Sequence, residues 1–246
     1  REYTHELLKS YDGPVIQCGE GKVMLSGWQG CNLTTINAKT LNGKTKQDRT
    51  DSFFERCEAA SQIGTWQAAF TRLPYLGTVS EEIFRREALI GVSIAGMMHH
   101  PEVLLDPRVL REGANRVIQA NQAEAKLIGI NPAARTTCVK PDGNSAASLG
   151  CFSGCHPGKF RRGFRIVQAN RIEPVYQHFN QINPDSCETS AWGVGDDVIR
   201  FAVDFEGVME DDLTAEEFLE NVKTIQQNWV KPGTVQEHCV RPGTCN

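Results

Sequence analysis

Two thiols and a carboxylate lie close together in one stretch of this chain, at Cys18, Glu20 and Cys31. Side chains two positions apart in extended backbone point the same way, and Gly19 between them lets a ligand approach closely. A neighbouring carboxylate disfavours a thiolate, which suits a cysteine that must give up a hydrogen atom. Such groups are those needed to remove a sugar hydroxyl through a sulfur radical. Taken alone the tripeptide is weak evidence, because loop cysteines are more often incidental.

A second polar segment follows a predicted strand at 135–140. It comprises Pro141, Asp142, Gly143, Asn144 and Ser145. A turn rich in backbone donors and hydroxyls at the carboxyl edge of a sheet is a natural phosphate cradle. The alternative is an ordinary strand-ending turn, which is the commoner case for an isolated pattern.

Hydrophobic periodicity predicts alternating strands and helices that would position these segments. Residues 12–30 read as a long loop. Strands are predicted at 31–37, 88–97, 135–140 and 197–204, and helices at 52–73, from Ser80, at 106–128, at 171–182 and from Thr214 to just before Pro232. This order indicates an α/β fold with a mostly parallel sheet, either open or part of a barrel.

Composition excludes several classes of protein. The net charge of −4 offers no field for nucleic acid, and no apolar run approaches the ~20 residues that span a bilayer. An odd count of nine cysteines at irregular spacing argues against a secreted disulfide framework and favours a reducing cytoplasm. A zinc site at Cys151, Cys155 and His156 is disfavoured because no paired-cysteine knuckle is present, so no metal ligand is predicted.

Several separated segments resemble one family in its own order. They are residues 31–37, 59–65, 87–96, 126–131, 133–141, 153–157 and 228–233. The chain resembles the ribonucleotide reductase large chain, most closely the monomeric, adenosylcobalamin-dependent (class II) ribonucleoside-triphosphate reductases, including phage-encoded forms. The resemblance covers nearly the whole chain and weakens over about 183–213. It implies a ten-stranded α/β barrel with a central finger loop.

The resemblance implies one partial catalytic barrel domain over 1–246, with the finger loop at about 12–31 and the phosphate-binding turn at about 141–145. Cys18 would become the thiyl radical, Glu20 would handle the substrate 3′-hydroxyl, and Cys31 would be one of two reducing thiols. The implied substrate-binding residues are Gln17, Gly19, Pro141, Asp142, Gly143, Asn144 and Ser145.

The implied cofactor is adenosylcobalamin. The implied partners are a ribonucleotide substrate, a deoxynucleotide effector, a thioredoxin-like reductant and the remainder of the barrel, without nucleic acid or membrane. The chain is therefore expected to be a piece of a longer cytoplasmic enzyme, in a host cytoplasm if phage-encoded.

Some positions depart from the family pattern. Ile16 and Gln17 stand where Asn-Pro is usual, and Asp142 places a negative charge where the phosphate turn normally has a small residue. Two alternatives stay open: a large chain whose radical comes from a separate metal-bearing subunit, and a non-catalytic nucleotide-binding remnant. The basic residues Lys159, Arg161, Arg162 and Arg165 are either a solvated face or contacts to a triphosphate.

Overall fold

A computed structural model describes residues 29–234 of the chain. The predictions for Gln17, Cys18, Gly19 and Glu20, and most of the finger loop, fall outside the described residues. The elements, in chain order, are β1 (Asn32–Asn37), α1 (Lys46–Ala68), α2 (Thr78–Glu87), β2 (Ile90–Ala95), α3 (Pro101–Leu104), α4 (Pro107–Ile128), α5 (Gly143–Leu149), β3 (Arg162–Asn170), α6 (Pro174–Ile182), β4 (Cys187–Thr189), β5 (Asp196–Asp204), α7 (Ala215–Ile225) and α8 (Lys231–Thr234).

The first sheet is parallel, as predicted. β1 pairs with β2 in a register that sets Leu33 opposite Gly91. The predicted strand at 135–140 is reduced to a single parallel bridge between Thr137 and Val92, where the amide of Cys138 donates to the Val92 carbonyl at 3.0 Å. Three parallel segments therefore lie side by side in the order β1, β2 and the Thr137 segment.

The second sheet corrects the sequence prediction. β3, β5 and β4 form an antiparallel sheet in that order, so the expectation of a mostly parallel sheet is wrong for this half of the chain. Strands β3 and β4 and helix α5 were not predicted. The mixed α/β class is confirmed, and the ten-stranded barrel stays a prediction.

Helix α1 begins earlier than predicted because its cap lies at Thr45. The Thr45 hydroxyl accepts from the Asp48 amide at 3.1 Å, while the Asp48 carboxylate accepts from the Thr45 amide at 3.0 Å. This reciprocal capping box starts the helix at Lys46 rather than at the predicted residue 52. The large apolar side chains of Ile63 and Trp66 do not join its buried face, since they are 48% and 50% exposed.

The core lies between β2 and the helices that cover one of its faces. Phe53 of α1 is fully buried and its ring lies 5.8 Å from that of Trp229. Trp229 belongs to a π-helical turn, Gln226–Val230, which links α7 to α8. The helix predicted to end before Pro232 therefore continues through it.

Trp229 fixes the segment that follows β2 in the sheet. Its indole nitrogen donates to the Cys138 carbonyl at 3.1 Å, and its own carbonyl accepts from the Thr137 hydroxyl at 2.6 Å. The two bonds join the π-helical turn to the side chain of Thr137 and to the backbone of Cys138. The core thereby sets the position of the strand that leads into the turn at Pro141.

Candidate functional site

The face of the parallel sheet turned away from the helices carries the polar and thiol groups. We call it the inner face, and it is formed by alternate residues of the three parallel segments. The register places Leu33 and Thr35 of β1 beside Gly91 and Ser93 of β2. The opposite face of β2 carries Ile90, Val92 and Ile94, which belong to the main apolar core.

Cys31 and Cys138 both reach this inner face. Cys31 precedes β1 and is half-buried, and Cys138 is 4% exposed. Their sulfur atoms lie 3.2 Å and 2.9 Å from the point where a Cβ atom would stand on Gly91. The structure therefore places Cys31 beside a second thiol, Cys138, which the sequence did not single out.

Asp142 is the centre of a polar cluster at the carboxyl edge of the same strands. Its side chain is fully buried, and one carboxylate oxygen accepts from Thr35 at 3.0 Å and from Ser145 at 2.8 Å. The other oxygen accepts from Ser93 at 3.2 Å. These contacts join β1, β2 and α5 at one carboxylate, at the edge where parallel sheets usually bind ligands.

Lys140 compensates the charge of Asp142. Its ammonium nitrogen lies 2.9 Å from the carboxylate and also contacts the Thr35 hydroxyl. Its backbone amide donates to the Ser93 hydroxyl at 2.9 Å. The negative charge of Asp142 is thus paired and turned inward.

The turn divides into an inward and an outward part. Asp142 is buried in a left-handed backbone conformation (φ 54°), and its carbonyl accepts from the Ala146 amide at 2.7 Å. Pro141, Gly143 and Asn144 are exposed. A Cβ on Gly143 would meet nothing within 4 Å. The first-turn amides of a helix have no intrahelical partner, so the outward part offers donors to solvent or a ligand.

Burial affects the acidity of two further cysteines that follow this turn in the sequence, Cys151 and Cys155. Burial, with the nearby Asp142 charge, raises the pKa of Cys151, which packs against Ala146 and Ala95. Burial likewise raises the pKa of Cys155. Among residues 29–234, no cluster of three or more His, Cys, Asp or Glu side chains is arranged to hold a metal ion.

Three of the four basic residues at 159–165 have partners within the protein. Arg161 pairs with Asp212 at 2.9 Å and Arg162 with Asp204 at 2.8 Å. Arg165 donates to the Ala147 carbonyl, near the end of α5, at 3.0 Å. These contacts favour the solvated-face interpretation for Arg161 and Arg162, and place Arg165 at α5 rather than at a ligand.

Some site residues were missed by sequence reasoning. Three of them contact Asp142, namely Thr35, Ser93 and Lys140. The fourth is Gly91, which lies beside the thiols. The available signal was the alternation along each strand, which places Thr35 two positions beyond Leu33 and Ser93 two beyond Gly91. A continuous apolar run around Ser93 hid that alternation.

None of the helices in the described part of the chain has the length and apolarity needed to cross a membrane.

The fold and inner face define an α/β protein with a thiol-bearing parallel sheet. The structure is similar to the crystal structure of a B12-dependent (class II) ribonucleotide reductase, with a TM-score of 0.64 and 16% sequence identity. The match covers 84% of this chain and 32% of that chain, so this chain spans about a third of the length of that structure. No family model and no curated protein matches. The resemblance drawn from the sequence is confirmed for the fold.

Proposed function

We propose that this chain is part of a ribonucleotide reductase that converts ribonucleotides to 2′-deoxyribonucleotides. The observation that carries the proposal is the convergence of Cys31 and the Asp142-anchored turn on one face of the parallel sheet. The reaction needs a thiol that supplies electrons and a turn that binds the substrate phosphates. The inner face carries a candidate for each. The similarity of fold to a class II reductase supports the same assignment.

In the proposed reaction, a thiyl radical at Cys18 removes the 3′-hydrogen of the ribonucleotide. Glu20 accepts the proton of the 3′-hydroxyl, and the 2′-hydroxyl leaves as water. Cys31 and a second thiol supply two electrons and two protons, one for the leaving water and one for C2′, and become a disulfide; Glu20 returns its proton to the 3′-oxygen, and Cys18 returns the 3′-hydrogen. A thioredoxin-like dithiol reduces the disulfide. Gln17 and Gly19 would contact the sugar.

The turn would hold the substrate phosphates. The first-turn backbone amides of Gly143, Asn144 and Ser145 are the groups we assign to that role, because the Ser145 hydroxyl already donates to Asp142. Pro141 and Asp142 would contribute by fixing the conformation of the turn. Asp142 holds the turn against β1 and β2 through its contacts with Thr35 and Ser93. Because Lys140 pairs with Asp142, the turn can receive an anion without an unpaired carboxylate beside it.

Adenosylcobalamin would supply the radical that is passed to Cys18. Thiols give and return hydrogen atoms, which is the chemistry that such a cofactor would require of Cys18. Among the described residues, Cys31 would supply electrons and the turn would hold the substrate. A separate metal-bearing subunit as the radical source is the second candidate, and addition of cobalamin discriminates between them.

The test uses the complete protein with ribonucleotide, a deoxynucleotide effector, dithiol and adenosylcobalamin, and measures deoxyribonucleotide formed. Cys31→Ser is expected to lower turnover at least about a hundredfold, since one electron-donating thiol is lost. The matched control is Cys187→Ser, a half-buried cysteine on β4 of the other sheet, which is expected to leave turnover unchanged. If the wild type binds nucleotide without turnover, the result would favour the alternative that the protein is a non-catalytic nucleotide-binding remnant.

A further inference from the structure

Gly91 lies in the middle of β2, a strand whose every residue is buried. Glycine inside a strand weakens it, and commonly marks a place where another group approaches closely. The φ angle of Gly91 is not positive, so the backbone there accepts any residue. Space, rather than conformational freedom, is therefore the reason for a glycine at this position.

The space above Gly91 is occupied by two thiols and one leucine. A Cβ atom there would lie 2.5 Å from Cδ2 of Leu33, 2.9 Å from Sγ of Cys138 and 3.2 Å from Sγ of Cys31. Cys31 comes from the β1 side of β2 and Cys138 from the other side. Both sulfurs therefore converge on the same spot of the inner face, within roughly 6 Å of each other.

We propose that Gly91 is a positioning residue for the thiol of Cys31. The inference rests on the proposed function, in which Cys31 is one of the two reducing thiols. Without a side chain at position 91, the Cys31 sulfur lies over β2 on the inner face. A methyl group there collides with Leu33 and Cys138 and lies only 3.2 Å from the Cys31 sulfur, so the three side chains must move outward together, the Cys31 sulfur by a few tenths of an ångström or more. Reactions between held groups are sensitive to such shifts, and a 1 Å displacement costs up to about a hundredfold.

The molecule offers a matched control on the other face of the same strand. A Cβ atom on Gly64 of α1 would lie 3.3 Å from Cβ of Ile90, the neighbour of Gly91. Gly64→Ala thus crowds β2 from the helix side and leaves the thiols untouched. It separates a general disturbance of β2 from a displacement of Cys31.

The first measurement is the alkylation rate of each cysteine by iodoacetamide, followed by mass spectrometry across a pH series. In Gly91→Ala the rate at Cys31 is expected to rise at least about threefold relative to Cys187, with a shifted pH profile, because the thiol becomes more accessible. In Gly64→Ala both are expected to match the wild type. In the complete protein, kcat of Gly91→Ala is expected to fall about tenfold or more while KM is unchanged.

Two results would overturn the proposal. One is an unchanged rate at Cys31 in folded Gly91→Ala, whatever the turnover; the other is an equal change in Gly64→Ala. If Gly91→Ala does not fold, the double variant Leu33→Ala/Gly91→Ala removes the closest contact, and its alkylation rate at Cys31 is compared with that of Leu33→Ala alone. Absence of turnover in the wild type would contradict the proposed function, and the alkylation rates would still decide whether Gly91 positions the thiol.

Discussion

Lys140 and Asp142 form an ion pair of 2.9 Å in which the Asp142 side chain is fully buried and the Lys140 side chain is 20% exposed. Three hydroxyls, from Thr35, Ser93 and Ser145, complete the hydrogen bonding of the carboxylate. A buried charge is tolerated only when it is paired and hydrogen-bonded. This pair therefore holds the turn to the sheet and leaves no unpaired carboxylate beside the exposed part of the turn.

Asp142→Ala is expected to lower the free energy of unfolding by about 2–4 kcal/mol, because it leaves Lys140 and three hydroxyls without their shared partner. Urea unfolding measures the change. Asp204→Ala is the control, since Asp204 pairs with Arg162 on the surface and such pairs contribute about 1 kcal/mol or less. Equal losses in the two variants would contradict the structural role assigned to Asp142.

The indole of Trp229 is predicted to stabilise the strand that carries Cys138. Trp229→Phe removes the donor to the Cys138 carbonyl and part of a fully buried ring, at an expected cost of about 2–4 kcal/mol. Trp192→Phe, at a side chain 78% exposed, is expected to change stability by less than about 0.5 kcal/mol. A Trp229→Phe variant as stable as the wild type would show that the indole does not hold this strand.

Stability is predicted to fall on mild acidification because of His99. Burial lowers the pKa of His99 to about 4. Its ring stacks on Phe152 at 4.0 Å, and Nε2 accepts from the Phe152 amide at 3.2 Å. A His with a folded-state pKa below its unfolded value near 6.5 contributes stability that is complete above about pH 6.5 and declines towards about pH 4.

Urea midpoints at pH 7.5 and pH 5.5 test this prediction. The wild type is expected to lose more stability between these values than His99→Gln, which has no group that titrates at this position. His178→Gln is the control, because His178 is exposed, and it is expected to keep the wild-type difference. An identical loss in wild type and His99→Gln would show that His99 does not carry the pH dependence.

Helix α4 illustrates what the sequence determines locally. Asp106 accepts from the Arg108 amide at 3.0 Å, Pro107 occupies the first turn, and Gly129 ends the helix in a left-handed conformation. These local signals placed the helix within a residue or so. The apolar run at 88–97 predicted β2 equally well, because its buried residues are contiguous.

Strand β3 illustrates what the sequence did not show. Phe164 and Ile166 are 61% and 54% exposed, so the strand is stabilised by pairing with β5 rather than by a buried apolar face. The polar cluster at Asp142 was missed because its members are far apart in the sequence. Thr35 and Asp142, for example, are 107 positions apart. Contacts between distant segments depend on the strand register, which local periodicity does not determine.

The electron paramagnetic resonance of the complete protein tests the central claim most directly. The protein is mixed with adenosylcobalamin, ribonucleotide, effector and dithiol, then frozen, with Cys18→Ser as the control. We predict a cobalt(II)-coupled thiyl signal that disappears in Cys18→Ser. Nucleotide bound without that signal would contradict the account, and would favour a radical from a separate subunit or a non-catalytic remnant.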